Sequence, residues 1–502
     1  MNHYDVVIIG SGMGGLVCGD LLTKAGYKVC ILEKNKQIGG CLQTYVRDRV
    51  IFDSGVHYLG SLEKGQKLYQ LFKYLGFIDK LKLQKLDENA FDKIIIDDNE
   101  IEYCYAQGYE NFIEKLLVHF PDEEAAIRAY CNKIQEICAK FPLYNLRKGQ
   151  YGENSDVLEI DTKSFIASIT NNEQLRIVLA GNNFLYAGQP DKSPFYAHAL
   201  ILNSYIESSW RTVDGGSQIG KYMSRNIHER GSTIKKHADV KKIVVEDGKV
   251  SHVELKDGSC IYGDVFISNI HPVKTLEMTE TELIKKFYRK RLSELENSIS
   301  SFTINIVLKK NTFKYFKNNY YCHKAGHIWS VGDYTEENWP LGYALFLSAS
   351  SRSEEYAEGM SVLTYMKYEE VKQWEDTFNT VSEESDRDKA YQEFKRQKAE
   401  KLLDMVEKKF PDIRQCIKAY YTASPLSYRD YIGNDDGSMY GIVKDYKDSL
   451  KTFISPRTKV PNLYLTGQNL NMHGILGSAM SGIITYLAVT GDDDVIEKIK
   501  NA

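Results

Sequence analysis

The 502-residue chain is marked first by what it lacks. No run of about 18 uncharged apolar residues occurs, so no membrane span is expected. No basic-then-apolar leader precedes the first strand signal, which starts within a few residues of Met1, so no cleaved signal is expected. Neither sign of charge dominates: 64 Lys plus Arg stand against 68 Asp plus Glu, a net charge of −4, which excludes a nucleic-acid surface as a reading. The nine cysteines are odd in number, scattered and never in C-x-x-C. They read as reduced thiols of a cytoplasmic protein, with neither a metal site nor a disulfide framework. Ser-His-Asp order, paired carboxylates, internal repeats and low-complexity tracts are missing too. Tyrosine, in contrast, is abundant at 35 residues, which suits an amphipathic pocket.

What is present begins at the N-terminus. Val6 to Ile9 is a short apolar run of the kind a buried parallel strand needs. Gly10, Gly12 and Gly15 then form G-x-G-x-x-G, and Leu16 to Lys24 has the pattern of a helix. The three glycines serve a tight turn, close backbone approach to a pyrophosphate and close helix-on-strand packing. A second strand, Lys28 to Leu32, ends at Glu33, eighteen residues after Gly15, where a carboxylate accepts hydrogen bonds from a ribose. An acidic residue there disfavours a 2′-phosphate, leaving FAD or NAD.

Four further glycine-bearing stretches follow. Lys36 to Thr44 contains the pair Gly39-Gly40 followed by Cys41, and Phe52 to Gly60 gathers Asp53, Gly55, His57 and Tyr58. Trp210 to Gln218 carries Gly215-Gly216, and Trp210 to Ser217 is expected to converge on the same ligand as the other glycine motifs. Near the far end, the apolar strand Leu463 to Leu465 runs into Thr466-Gly467, then His473-Gly474-Ile475-Leu476-Gly477-Ser478, with a helix over 478 to 490. A helix start there would bring a positive dipole end to an adjacent anionic ligand.

The order of these motifs resembles the flavin-dependent phytoene desaturase, carotenoid isomerase and retinol saturase family, and the His57-Tyr58 pair is closest to its retinol saturase and carotenoid isomerase branch. The resemblance implies an α/β fold: a Rossmann-like, glutathione-reductase-like FAD-binding domain assembled from residues 1–62, 211–273 and 456–502, plus a mixed helical and β-sheet substrate domain from 63–210 and 274–455. It implies FAD contacts at Gly10, Gly12, Met13, Gly14, Gly15, Glu33, Lys34, Gly39, Gly40, Cys41, Val240, Asn269, Gly467 and Gly477. Val240 belongs to the strand whose backbone pairs with the adenine edge in the family, and Gly467 approaches the ribityl chain. Val213-Asp214 departs from the family, which has proline in that segment.

The two excursions carry weaker signals. Tyr109 to Val118 and Glu123 to Phe141 have helical periodicity, and the aromatics of Gly181 to Ile206 read as core. Strands are expected at Val240 to Val245, Val250 to Leu255, Ser259 to Tyr262 and Asp264 to Asn269, with Asp247-Gly248 and Asp257-Gly258 as turns. Glu277 to Leu295 reads as one polar helix whose Lys285, Lys286, Arg289, Lys290 and Arg291 form either a solvated face or a patch for anionic lipid. Ser382 to Lys409 reads as a long charged helix.

The chemistry expected of FAD here is hydride transfer at a carbon–carbon double bond, with a proton donor or acceptor beside it. His57, Tyr58 and His473 are the catalytic candidates, with Tyr428 and Tyr440 behind them. The implied activity is saturation, desaturation or isomerisation of a polyene, isoprenoid or retinoid-like lipid. A flavin amine oxidase and a non-catalytic flavin-loaded lipid-binding protein are the alternatives. The substrate partner is a hydrophobic small molecule. NAD(P)H, a quinone or oxygen as electron partner, and peripheral membrane contact, stay open.

Overall fold

The computed structural model describes residues 3–97, 100–150, 152–381 and 386–502. Its first sheet has seven strands, in the order Thr233–Lys235, Val29–Leu32, His3–Ile9, Cys260–Ser268, Lys249–Leu255 and Val240–Glu246, with Leu463–Leu465 joining the far end of Cys260–Ser268. Thr233–Lys235, Val29–Leu32, His3–Ile9, Cys260–Ser268 and Leu463–Leu465 are mutually parallel, and the meander Val240–Leu255 is antiparallel. Val6, Val7 and Ile8 are fully buried, as a strand covered on both faces requires. The helices Met13–Lys24 and Gly474–Thr490 pack on each other across that sheet, although they lie at opposite ends of the sequence.

A second seven-stranded sheet runs Ile417–Ala423, Ser300–Leu308, Gly359–Met366, Gly342–Leu347, Asn319–His323, Asp92–Ile96 and Tyr103–Tyr105. It is antiparallel except where Asn319–His323 meets Asp92–Ile96. Ser300–Leu308 and Gly359–Met366 are buried at every residue. Helices including Glu124–Ala139 and Phe195–Glu207 pack with this sheet into the largest hydrophobic core.

Several expectations need correcting. The strands expected at Ser259–Tyr262 and Asp264–Asn269 are one strand, Cys260–Ser268, long enough to pair with the meander at one end and with His3–Ile9 along its length. The helix expected over Glu277–Leu295 is two, Pro272–Glu277 and Lys286–Ser293. Arg289 is the reason: its guanidinium turns inward and donates to the carbonyls of Leu276 and Thr279, closing the break with a charged donor. Arg289 thus leaves the basic face. The long charged helix spans Lys389–Lys409, capped by Asp388, which accepts from the Tyr391 amide at 2.8 Å. Residues 382–385 of the expected range lie outside the described residues. The last motif's helix begins at Gly474 rather than 478.

Candidate functional site

Four of the parallel strands deliver their carboxyl ends side by side, and the next residue of each is Gly10, Glu33, Asn269 or Thr466. Crevices at such carboxyl ends are where open α/β sheets bind ligands. A cavity of about 950 Å³ opens there. Gly10 takes a left-handed φ of +92°, which turns the chain sharply off the strand. A Cβ on Gly15 would stand 2.5 Å from the Gly10 carbonyl oxygen, and one on Gly14 would stand 2.8 Å from Gly467 Cα. Both are backbone contacts that nothing can relieve. A Cβ on Gly12 meets only the Asn269 amide, at 3.0 Å. Gly12 therefore faces open space, whereas Gly14 and Gly15 are dictated by packing. Gly15 alone of the expected cofactor residues lies off the cavity wall, and Gly10, Gly12, Met13, Gly14, Glu33, Lys34, Gly39, Gly40, Cys41, Val240, Asn269, Gly467 and Gly477 all line it.

The electrostatics suit a phosphate-bearing ligand. The helices Met13–Lys24 and Gly474–Thr490 both begin at this cavity, and neither has a side-chain cap. Their first-turn N–H groups need acceptors, and phosphate oxygens are good ones. Asn269 locks the two motifs together: its amide donates to the Gly10 carbonyl at 3.2 Å, and its side chain packs against Gly14 and Gly467. Glu33 is more occupied than a free ribose acceptor. Ser11 donates to one of its oxygens through N (3.1 Å) and Oγ (2.5 Å), and the Asn35 amide donates to the other at 2.8 Å. The oxygen that accepts from Ser11 has both lone pairs engaged, and the one that accepts from Asn35 keeps a further lone pair. Lys34 donates to the Asp430 carbonyl at 3.0 Å.

Gly215 and Gly216 do not line the cavity, which corrects the expectation that Trp210–Ser217 converges on the ligand. Instead the Gly216 amide donates to Asp53 Oδ1 at 2.7 Å, and Thr44 Oγ1 donates to Ser217 Oγ at 3.0 Å. The motif braces the Phe52–Gly60 loop from behind. Asp214, in the segment without proline, adopts φ +65° and accepts from the Ser351 amide at 3.0 Å.

Beyond the glycines the cavity is walled by rings. His57 stacks on Phe346 at 4.4 Å with planes 4° apart. Tyr58 stacks on Tyr205 at 4.3 Å. His473 Nε2 meets the Leu185 carbonyl at 2.8 Å, which fixes the proton on Nε2 and leaves Nδ1 as an acceptor. Burial, reinforced by the Arg211 charge, pulls His57 down to about 4, and burial likewise pulls His473 down to about 4. Both rings are therefore neutral near pH 7. Tyr428 and Tyr440 also line the wall, and Tyr440 donates to the Phe184 carbonyl at 2.8 Å. Tyr196 and Tyr205, expected as core, line the cavity as well.

Sequence reasoning missed the polar cluster behind Tyr58. Tyr58 Oη lies 2.9 Å from Asp92 Oδ2 and 2.8 Å from Tyr321 Oη. Asn319 donates to Asp92 Oδ1 at 2.8 Å, and the buried Arg211 guanidinium holds Asn319 Oδ1 at 2.7 Å. The available signal was Asp92 itself, a carboxylate at the head of the apolar run Ile94-Ile95-Ile96.

Comparison with known proteins fits this geometry. A family model described as an NAD(P)-binding Rossmann-like domain matches residues 8–75. The all-trans-retinol 13,14-reductase of Danio rerio is 27% identical, over 96% of this chain and 85% of its own length. The chloroplastic prolycopene isomerase of Daucus carota is 24% identical, over 98% of this chain and 80% of its own. Over nearly its whole length the chain is thus similar to retinol reductases and carotenoid isomerases. Among solved structures, a putrescine oxidase redesigned in cofactor binding superposes with a TM-score of 0.64 at 12% identity, covering 98% of this chain and 99% of that one. The likeness to that solved structure is one of fold and extends over nearly the whole of both chains.

Proposed function

We propose that this chain is an FAD-dependent oxidoreductase acting on carbon–carbon double bonds of a polyene, isoprenoid or retinoid-like lipid, by reduction or isomerisation. The cavity carries this reading: it runs without a break from the glycine cradle to the rings of Tyr58, Tyr205, Tyr321 and Phe346. FAD is favoured over a free nicotinamide cofactor by the two uncapped helix starts, one at each end of the sequence, that share this space. Bound FAD supplies hydride transfer at its isoalloxazine ring. The protein residues of this reading hold the phosphates at Gly12 to Gly14, orient an apolar chain between tyrosines, and exclude water. The cofactor half is assigned to residues 1–62, 211–273 and 456–502, and the substrate half to 63–210 and 274–455. His57, Tyr58 and His473 are assigned to the reacting end. The names of the relatives, a retinol reductase and a prolycopene isomerase, support a polyene as the substrate class.

The amine-oxidase alternative needs a lysine near the flavin to place water. Lysines on the cavity wall come from beside Glu33, Val240 and Asn269, at the dinucleotide end (Lys34, Lys241, Lys274), or from the adjoining meander turn (Lys256). The buried Lys444 directs its ammonium to the carbonyls of Thr452, Asn469 and Leu470. The polyene reading is therefore preferred. Peripheral lipid contact is assigned to the Lys286–Ser293 helix, where Phe287 is 79% exposed beside Lys285, Lys286 and Lys290. Among the described residues no helix is long and apolar enough to cross a membrane.

The deciding experiment is to purify the protein, record its flavin spectrum, reduce it without oxygen and mix it with retinoids, carotenoids and fatty alkenes. Reoxidation by a polyene, with the saturated product detected, is the expected result. A colourless protein that takes up no FAD, or reduced protein reoxidised by amines' imine products alone, overturns the reading. Parallel titrations with NAD(P)H, a quinone and oxygen identify the electron partner.

A further inference from the structure

Tyr321, Tyr58 and Asp92 form a single file from the cavity wall into the second sheet. Tyr58 and Tyr321 line the cavity, and Asp92 lies behind them with no exposed surface. Each hydroxyl has one proton to give, and an ionised carboxylate has none. With Asp92 ionised, this count fixes the direction of both bonds in the file. When Asp92 is charged, Tyr58 donates to Asp92 Oδ2 (2.9 Å) and Tyr321 donates to Tyr58 (2.8 Å). Tyr321 then offers the cavity only lone pairs. When Asp92 is protonated its O–H donates to Tyr58, Tyr58 donates to Tyr321, and the Tyr321 O–H is released toward the cavity. Asn319 holds Asp92 Oδ1 in either state, leaving Oδ2 to carry the proton.

We propose that Asp92–Tyr58–Tyr321 is a proton relay for the alkene reaction, with Tyr321 the group that hands the proton to substrate carbon. This rests on the reading of the cavity as an alkene-reducing site. On saturation, one alkene carbon receives a hydride from reduced flavin. The π electron pair of the double bond forms the second C–H bond with the Tyr321 proton. The Tyr321 oxygen keeps its O–H electron pair and takes the Tyr58 proton, Tyr58 takes the Asp92 proton, and Asp92 is left as carboxylate. Desaturation runs the same transfers backward.

The surroundings suit an acid that changes charge near neutrality. Burial pushes the Asp92 carboxyl up to about 7, against the hydrogen bonds from Asn319 and Tyr58 and the nearby Arg211 charge. The other titratable groups facing it are Tyr105 across the strand pair, Tyr205 from the helix Phe195–Glu207, and Tyr321. Arg211 is the cation of the group, and it is spent on Tyr315, Phe316, Asn318 and Asn319. It steadies the cluster without pairing with Asp92 directly.

The test uses Asp92→Asn and Tyr321→Phe, both close in shape to the originals, in the full-length FAD-loaded protein. Two readouts are combined. Anaerobic reoxidation of the reduced protein by a polyene should slow about 100-fold or more in each variant. In the wild type this rate should fall as pH rises through about 7 and slow in D₂O, whereas Asp92→Asn should lose that pH step. Infrared spectra of the oxidised protein, without substrate, should show a buried carboxyl C=O band that vanishes across the same pH range. The band should be absent in Asp92→Asn and displaced in Tyr321→Phe. Wild-type rates and pH profile in Asp92→Asn, or a carboxyl band that ignores Tyr321→Phe, overturn the relay. If the wild type reduces no alkene, the function reading fails first, and the infrared titration alone decides whether the file carries a proton.

Discussion

The two large sheets meet the cavity by different means. The parallel sheet presents backbone: Gly10, Gly12, Gly14 and Gly467 bring main chain against the cavity, and two helix starts supply N–H groups. The antiparallel sheet presents side chains, chiefly Tyr321 and Phe346, and shares with Tyr58 a polar cluster anchored on Asp92 and Arg211. Backbone recognition demands particular residues at particular spacings, because only glycine clears 2.8 Å contacts. Side-chain recognition demands only that the right group reach the right place, from any strand.

Substitutions at the glycines are the hardest test of this contrast. Gly14→Val forces a Cβ onto the Gly467 backbone and should abolish both FAD retention and folding, as seen by flavin absorbance and far-ultraviolet circular dichroism. Gly12→Val meets only a movable amide, so it should lose FAD while keeping its circular dichroism. Equal damage from both would erase the distinction between packing glycine and ligand-facing glycine. Next in size is Arg211→Met, which leaves buried carbonyls of Phe316 and Asn318 without a donor. It should cost at least about 2 kcal/mol in denaturant unfolding while sparing FAD affinity.

A smaller effect concerns acid. Burial pulls His198 down to about 3, and His57, His323 and His473 down to about 4. Unfolding exposes them to protons at ordinary histidine pKa values, so stability present above about pH 6.5 is lost as pH falls toward 4. Asp53 and Asp92, raised by burial to about 7, act in the opposite sense and blunt the loss. The thermal midpoint should fall between pH 7 and pH 5, and His323→Gln should shrink the drop. Smallest is Phe287→Ser: it should leave stability within about 0.5 kcal/mol yet weaken sedimentation with anionic vesicles. Undiminished vesicle binding would remove that helix from the lipid contact.

This contrast also explains what could be read before the fold was known. The cradle was legible because Gly10 to Gly15, Gly39-Gly40 and Gly467 are spaced by strand and helix geometry. The Asp92–Tyr58–Tyr321 file was not, because its members are separated by 34 and 263 residues from Tyr58 and meet only through tertiary packing. Arg289 hid for a similar reason: in sequence it is one of five basic residues, and only the broken helix shows that it faces inward.

The strand Leu463–Leu465 and the helix behind it have a consequence for how the protein is made. They complete the same cradle that Gly10 begins, so the two halves of the proposed phosphate grip leave the ribosome more than 450 residues apart. During synthesis the first half has no Gly467 to close against, and the hydrophobic floor around Leu16 and Val17 waits for the Gly474–Thr490 helix. On the proposed FAD assignment, loading follows release of nearly the whole chain, and a nascent chain stalled before residue 463 should be colourless and a client for chaperones.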